Sequence, residues 1–435
     1  MVPRRSVVVV AVIVLSVLFP VNAGALQGAG ASGAAWWIVG GVLFALPSTA
    51  VILHLATRDA SPLRSLAAGG HLAHAGARGI WVAGTLATLS ASIAAFSFLA
   101  RALGIELPVS VQGALAIALA LGGVFMARSR AWARVLLVGG VALALVLLVG
   151  LVALVVAAGS GAVAESAGAG GGWTGVSLAG WSWLGLVILG LVGAHVPFQR
   201  NELRPVSTRP VVIAMGVAVV GYLVLTLACA LALPTGTATG ATGLVDLAAT
   251  VSPGLATPMA LLLFVSFAAT TIGFGGAFRE LAGDLGLPGP SSALLIVAVG
   301  ALSYVVLPLA FSSSVGSAPA VETYAITQGA AAVLWAFGYV ALGVLVLRSP
   351  ATAWLKGAAA LTVIFGALGV LGALVGSQTP LISNDAISFS VGGAPVTLGT
   401  WALLVLIVSV VALVVTWLVK AEGDHLAHEQ PVESN

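Results

Sequence analysis

Apolar residues run through this chain in blocks of about twenty, the length that carries an α-helix across roughly 30 Å of hydrocarbon. Twelve such blocks are legible, at approximately 6–26, 35–55, 80–101, 109–127, 132–158, 178–198, 210–233, 255–278, 292–312, 323–347, 353–376 and 396–419. The polar intervals between them are short. The longest, 56–79, 159–177 and 234–254, hold no soluble domain, so function must reside in the membrane part. The pattern predicts an all-α membrane protein of twelve transmembrane helices.

Charge placement tests that count, because short cytoplasmic loops collect Lys and Arg. With both termini inside, the cytoplasmic set is Arg4, Arg5, Arg58, Arg64, Arg78, Arg128, Arg130, Arg134, Arg200, Arg204, Arg209, Arg279, Arg348, Lys356 and Lys420. That is 15 of the 16 basic residues, with only Arg101 outside. A wrong count would shift the parity of every later loop and scatter this pattern. The expected location is therefore the plasma (inner) membrane, with cytoplasmic N- and C-termini.

Composition agrees. The chain is 60% hydrophobic and 7% charged, with a mean hydropathy of +1.16, where soluble proteins carry about 25% charged residues. The pI near 9.4 reflects basic residues spread thinly over loops, with no basic run for a nucleic acid. Cys229 stands alone in an apolar block, so it forms no disulfide framework within the chain and reads as packing. The first 28 residues, with two arginines, an apolar core and small residues around Ala23 and Ala25, also resemble a secretory leader. Cleavage would leave an odd number of spans, so retention is expected.

Two blocks combine glycine, a helix breaker and a polar side chain: "FPVNAGALQG" at 19–28 and "GLVGAHVPF" at 190–198. Proline removes a backbone donor and exposes carbonyls that lipid cannot satisfy. Transporters built from inverted repeats place one broken span at the same position of each repeat, near the substrate. Spans one and six are five apart, which predicts a 5+5 inverted repeat with broken first and sixth helices plus two additional helices. The first repeat is then 1–158, the second 159–312 with 323–347, the extra pair 353–419 and the cytoplasmic tail 420–435. Two ordinary proline kinks are the plainer alternative.

Three cytoplasmic stretches carry a family resemblance. They are "GVLFALPSTAVILHLATRDASPLRSLAAGGHLAHAGARG" at 41–79, "NELRPVSTRP" at 201–210 and "GAFRELAGDLGLPGP" at 276–290. Their order and spacing are similar to the amino acid/polyamine/organocation transporter superfamily, closest in pattern to the glutamate/GABA antiporter-like branch. The resemblance implies a secondary active transporter, a permease or exchanger, that moves amino acids or related small amines by alternating access. It also implies that the first-span break donates backbone amides to a substrate carboxylate. The chain departs from the pattern at His54, where the family usually has Glu, at His71, where it usually has an aromatic, and at "PVNAGAL", which replaces a Gly-Ser-Gly-Ile-Phe type break.

The candidate substrate-binding residues are Asn22, Ala23 and Gly24 in span one and Gly190, Gly193 and His195 in span six. Pro20, Asn22 and Gly24 would open the first helix; the alternative is a plain helix end near the outer surface. Glycines flank the expected unwinding in span six, and His195 is either a ligand or proton carrier or a neutral hydrogen-bonded side chain at the cytoplasmic edge. All thirteen acidic residues fall in loops, tails or span edges, which leaves His195 as the sole obvious titrating candidate. Ser266, Thr270 and Thr271 in span eight would offer hydroxyls to Na⁺, or simply bond back to their own helix. Glu202, Arg204 and Arg279 form a candidate cytoplasmic gate, whereas Asp284 reads as a solvated charge. No metal site and no cofactor are expected, and coupling to H⁺ or Na⁺ stays open, exchange without a coupling ion fitting best.

Other functions find less support. The chain has no H-E-x-x-H, G-x-S-x-G or G-x-x-x-x-G-K motif, so an enzyme is not expected. A channel would need rings of charge or carbonyls. A non-transporting solute sensor, or a carrier of another solute such as a nucleobase, remains the alternative. The expected partners are the small solute and the lipid bilayer, with no nucleic acid; monomer and dimer stay equally open.

Overall fold

The computed structural model describes residues 5–25, 31–58, 62–127, 129–162, 208–234, 243–287, 290–302, 304, 319–374, 390–391, 394–395, 403, 405–411 and 413–414. The predicted sixth span lies outside these residues.

Helices stand where the apolar blocks predict them. The first block is split into α1 (Arg5–Val17) and α2 (Pro20–Ala25). The second is α3 (Ala31–Gly40) and α4 (Leu46–Arg58), joined by one π-helical stretch at Gly41–Ala45. Then follow α5 (Pro62–Ala68), α6 (His71–Leu103), α7 (Val109–Met126), α8 (Arg130–Gly159), α9 (Thr208–Ala232) and α10 (Gly243–Val251). A short 3₁₀ turn leads into α11 (Ala256–Asp284), followed by α12 (Ser291–Ala301), α13 (Pro319–Arg348) and α14 (Ala353–Leu374). Residues 405–411 are helical within the twelfth block, and Ser390–Val391 pairs with Ala394–Pro395 as a minute antiparallel hairpin. Seven stretches are each long and apolar enough to cross a membrane: Gly33–Leu55, His71–Leu103, Arg130–Gly159, Arg209–Ala232, Pro253–Asp284, Gly329–Arg348 and Ala353–Leu371.

The sequence places the first loops wrongly in detail. Interval 56–79 contains α5 and the first turns of α6, and interval 234–254 contains α10. Apolarity marks where a helix enters lipid and says little about where it starts, so His71, His74 and Arg78 lie on α6 ahead of the predicted span. Gly70, at φ 97°, makes the turn between α5 and α6.

Burial divides the helices into two kinds. α8 is capped by Ser129, whose hydroxyl accepts from the Trp132 N–H at 3.1 Å. It buries Trp132, Leu136, Gly139, Leu143, Val146, Gly150, Ala153 and Ala157, steps of three and four that form one stripe. Val138, Val141, Leu148 and Val155 are exposed on its surface, as a bilayer-facing helix requires. α6 is instead buried almost along its whole length and packs chiefly against α11 and α13, so it forms the protein-surrounded axis of the fold.

Small residues let α7 and α11 meet. A Cβ at Gly275 would run into the Ala120 carbonyl and come within 3.1 Å of the Gly123 Cα, and one at Gly123 would strike the Ile272 carbonyl. Such contact is the usual use of small residues in lipid, where close packing replaces the hydrophobic drive.

Candidate substrate site

Span one breaks between Val17 and Pro20. Pro at a helix start loses nothing, because its missing N–H would be unsatisfied there anyway, and it steers the residue before it away from helical angles. The opening therefore falls at Leu18 and Phe19, wholly ahead of the "PVNAGAL" stretch that the sequence marks as the break. Asn22, Ala23 and Gly24 sit inside the second half-helix. Every residue from Val12 to Ala23 is buried within the protein.

Tyr222 of α9 repairs the gap. The Phe19 N–H donates to its hydroxyl at 3.0 Å, and that hydroxyl donates in turn to the Val17 carbonyl at 2.9 Å. One buried oxygen thus takes up a donor and an acceptor that an intact helix would have paired. One turn further along α9, Thr226 donates to the Ala23 carbonyl at 3.1 Å and accepts from the Trp37 indole at 2.8 Å. Trp37 stacks on Tyr222 with centroids 3.9 Å apart and planes 8° from parallel. Trp37, Tyr222 and Thr226 are all fully buried, so these hydrogen bonds are shielded from water. The sequence reading missed all three. The signal was a Tyr and a Thr four apart, hence on one face, in an otherwise apolar span.

The opposite side of the break faces α11. The Thr270 hydroxyl donates to the Leu15 carbonyl at 3.3 Å and to its own Ser266 carbonyl at 3.0 Å. Leu15 would otherwise accept from Phe19, whose N–H has gone to Tyr222. Phe19 meets Phe267 edge to face at 4.8 Å, and Phe98 of α6 lies 5.7 Å from Phe267. Thr271 points elsewhere: it donates to the Phe267 carbonyl and accepts from Ser92 of α6 at 3.1 Å. The three span-eight candidates are thus divided, with Thr270 on span one and Thr271 on α6.

Asn22 is the exception in this satisfied neighbourhood. Its backbone N–H donates to the Phe19 carbonyl at 3.0 Å, but its carboxamide, in a residue only 7% exposed, hydrogen-bonds no described residue.

Gly190, Gly193, His195, Glu202 and Arg204 lie outside the described residues. The sequence singled out His195 as the titrating candidate, but a second histidine, His54, also lies within a predicted span and is half-buried on α4. At the end of α11 the exposed Arg279 reaches the Val124 carbonyl of α7 at 3.5 Å. Asp284, expected to be a solvated charge, instead pairs with Arg64 of α5 at 3.2 Å and is only 13% exposed. At the other end of α6, Arg101 pairs with Asp246 of α10 at 2.6 Å. Among the described residues no three His, Cys, Asp or Glu side chains gather as a metal cluster would.

The same fold occurs in solved structures. The manganese transporter of Eremococcus coleocola, in complex with an aromatic bis-isothiourea substituted compound, superimposes with a TM-score of 0.58 over 97% of this chain and 94% of that one, at 16% identity. A single-residue mutant of that transporter gives the same score and coverage at 17% identity. The fold is that of a membrane transporter. No protein-family model matches the chain, and no curated protein matches it. At such identity the likeness carries the architecture and leaves the solute open.

Proposed function

We propose that this chain is a secondary transporter of the inner membrane, working by alternating access, with both termini cytoplasmic. Its solute is a small organic molecule of the amino acid and amine class, bound at the break of span one. The observation that carries this reading is the break of span one between Val17 and Pro20, which Tyr222 of α9 holds open beside Asn22, a residue only 7% exposed whose carboxamide hydrogen-bonds no described residue. A broken helix in a membrane is tolerated where it is buried in protein or lines a cavity, and in transporters such breaks form the solute site. Membership of the amino acid/polyamine/organocation superfamily is part of the same reading, resting on the three cytoplasmic stretches.

The 5+5 inverted repeat belongs to it as well. Loop helix α5 precedes α6 as α10 precedes α11, which matches spans two and three to spans seven and eight. We assign His195, with Gly190 and Gly193, to the far side of the site, and Glu202, Arg204 and Arg279 to the inner gate. A coupling Na⁺ would lie between Thr270 with Ser266 and the carbonyls of the first-span break.

The structural neighbours are described as manganese transporters. A manganese ion takes oxygen ligands, carbonyls among them, and carboxylates supply the charge that offsets its own. The described wall of this break offers carbonyls, hydroxyls and one carboxamide, with Phe19 and Phe267 in contact beside them. With no carboxylate on the described wall to offset a dication, an uncharged or singly charged organic solute is the reading we favour.

Thermal unfolding of the purified protein against the amino acids, GABA, polyamines, nucleobases and Mn²⁺, with and without Na⁺ and at two pH values, tests this. A ligand of the native state raises apparent stability by mass action. A shift with an organic amine or amino acid is expected; a shift with Mn²⁺ alone overturns the assignment.

A further inference from the structure

We infer that the groove between α8 and α9 is a binding site for an anionic phospholipid, whose phosphate is held by Arg134 and Arg209 and one of whose acyl chains lies in the groove.

The groove exists because side chains are small along its floor. It has a volume of about 460 Å³, and every residue that lines it is apolar, among them Ala144, Leu148 and Leu151 of α8 and Gly216, Val217 and Val220 of α9. Gly216 leaves space rather than making contact, since a Cβ there would meet nothing within 4 Å. Leu148, Leu151, Val217 and Val220 are exposed, so the groove opens sideways into the hydrocarbon of the bilayer. Both helices are long and apolar enough to cross it.

The two helices run parallel. A Cβ at Gly221 would meet Leu147 and one at Gly150 would meet Leu225, so levels on the pair correspond with a nearly constant offset. That offset sets Arg134 level with Arg209, at the membrane face where both helices begin, the cytoplasmic one in the topology proposed above. Arg209 and Gly216 are seven residues apart, as are Arg134 and Val141, and Val141 and Leu148, so each arginine shares a helix face with the groove. Arg130 stands one turn before Arg134 on the same face. Gly216 lies about 10 Å along the helix from Arg209, within the roughly 15 Å that one leaflet contributes to the hydrocarbon. A lipid whose phosphate meets the arginines therefore brings its chain to the groove.

The charge at this end is uncompensated. Arg130, Arg134 and Arg209 are exposed, and none of them forms an ion pair with a described residue. Neither α8 nor α9 contains Asp or Glu. Arg130 and Arg209 stand in first turns, where a cation adds to the positive end of the helix dipole. A phosphodiester supplies the missing negative charge, with oxygens that match the guanidinium fork, and basic clusters at the ends of membrane helices favour anionic headgroups in this way. A zwitterionic headgroup would bring its own cation to the same place.

The probe is phosphatidylglycerol, compared with phosphatidylcholine of the same acyl chains. Each is added to the purified full chain in an uncharged detergent, and the rise of the thermal midpoint gives a half-saturating lipid concentration. The expected value is at least fivefold lower for phosphatidylglycerol. Arg134→Gln combined with Arg209→Gln removes that preference. Arg348→Gln combined with Lys356→Gln, exposed basic residues at the turn between α13 and α14, leaves it in place. Gly216→Leu fills the groove and raises the half-saturating concentration at least fivefold, with the lipid-free midpoint unchanged.

Equal stabilisation by the two lipids overturns the inference. So does an equal loss in the two charge variants, which would mean attraction to surface charge alone, and so does glycerol phosphate acting as well as the lipid, because the groove would then play no part. A Gly216→Leu protein that unfolds earlier without lipid, or that passes from dimer to monomer, also overturns it, by giving the groove to another part of the chain or to a second copy. Should the double arginine variant not fold, the two-lipid comparison and Gly216→Leu decide.

Discussion

The Arg101 guanidinium lies 2.6 Å from the Asp246 carboxylate, tying the end of α6 to the loop helix α10, and Arg64 and Asp284 tie the loop helix α5 to the end of α11. The two pairs are reciprocal. Each joins a loop helix to the end of a long helix, with the sign of the charges exchanged, an arrangement in keeping with the inverted repeat proposed above. Exposed pairs contribute only about 0.2–1 kcal/mol, and Arg101 and Asp246 are 43% and 41% exposed. Neutralising Asp246→Asn should therefore barely move the thermal midpoint while altering the solute transport rate. The exchanged double variant Arg101→Asp with Asp246→Arg should restore that rate; additive losses in the double-mutant cycle would show that the pair does not act as a unit.

Tyr222→Phe removes the oxygen that accepts from Phe19 and donates to Val17. Leaving a buried donor and acceptor unpaired costs about 1–3 kcal/mol for each, so thermal unfolding in detergent should register a loss of at least that order. Thr226→Val should behave likewise, since it strands the Ala23 carbonyl and the Trp37 indole. A variant as stable as the parent would mean that the break re-forms as continuous helix.

Thr270 and Thr271 adjoin in sequence and part in space. If Na⁺ stabilises the wild type, Thr270→Val should abolish that stabilisation and Thr271→Val should retain it, because only Thr270 touches span one. Equal loss in both variants would place the ion, if there is one, away from the break.

Gly122 and Gly123 offer a packing test on adjacent residues. A Cβ at Gly122 meets nothing within 4 Å, so Gly122→Ala should stabilise α7 by roughly 0.5–1 kcal/mol. At Gly123 the Cβ meets the Ile272 backbone, which cannot yield as a side chain would, so Gly123→Ala should cost about 1–3 kcal/mol. Unfolding midpoints that move together would contradict the close approach of α7 and α11.

How far the sequence could be read follows from what writes each feature. Membrane spans are written by block length and charge, and α6, α8, α9 and α11 lie where those signals put them. The split in span one was legible from Pro20, although placing it at Leu18 and Phe19, ahead of the proline, needed the rule that proline opens a helix rather than ends one. Tyr222, Thr226 and Trp37 were not legible, because their meaning depends on α9 and α3 lying against a break about two hundred residues away in sequence for α9. The same long-range pairing hid the Asp284 partner, Arg64. α5 and α10 escaped because short interfacial helices carry no apolar block of their own.

Counterflow into proteoliposomes tests the central claim most directly, comparing wild type with Asn22→Ala for a labelled amine or amino acid chosen by its thermal shift. The account predicts saturable counterflow in the wild type, with at least a tenfold loss in Asn22→Ala protein that still unfolds at the parental temperature. Undiminished counterflow in Asn22→Ala, or wild-type vesicles that accumulate Mn²⁺ and no organic solute, would contradict it.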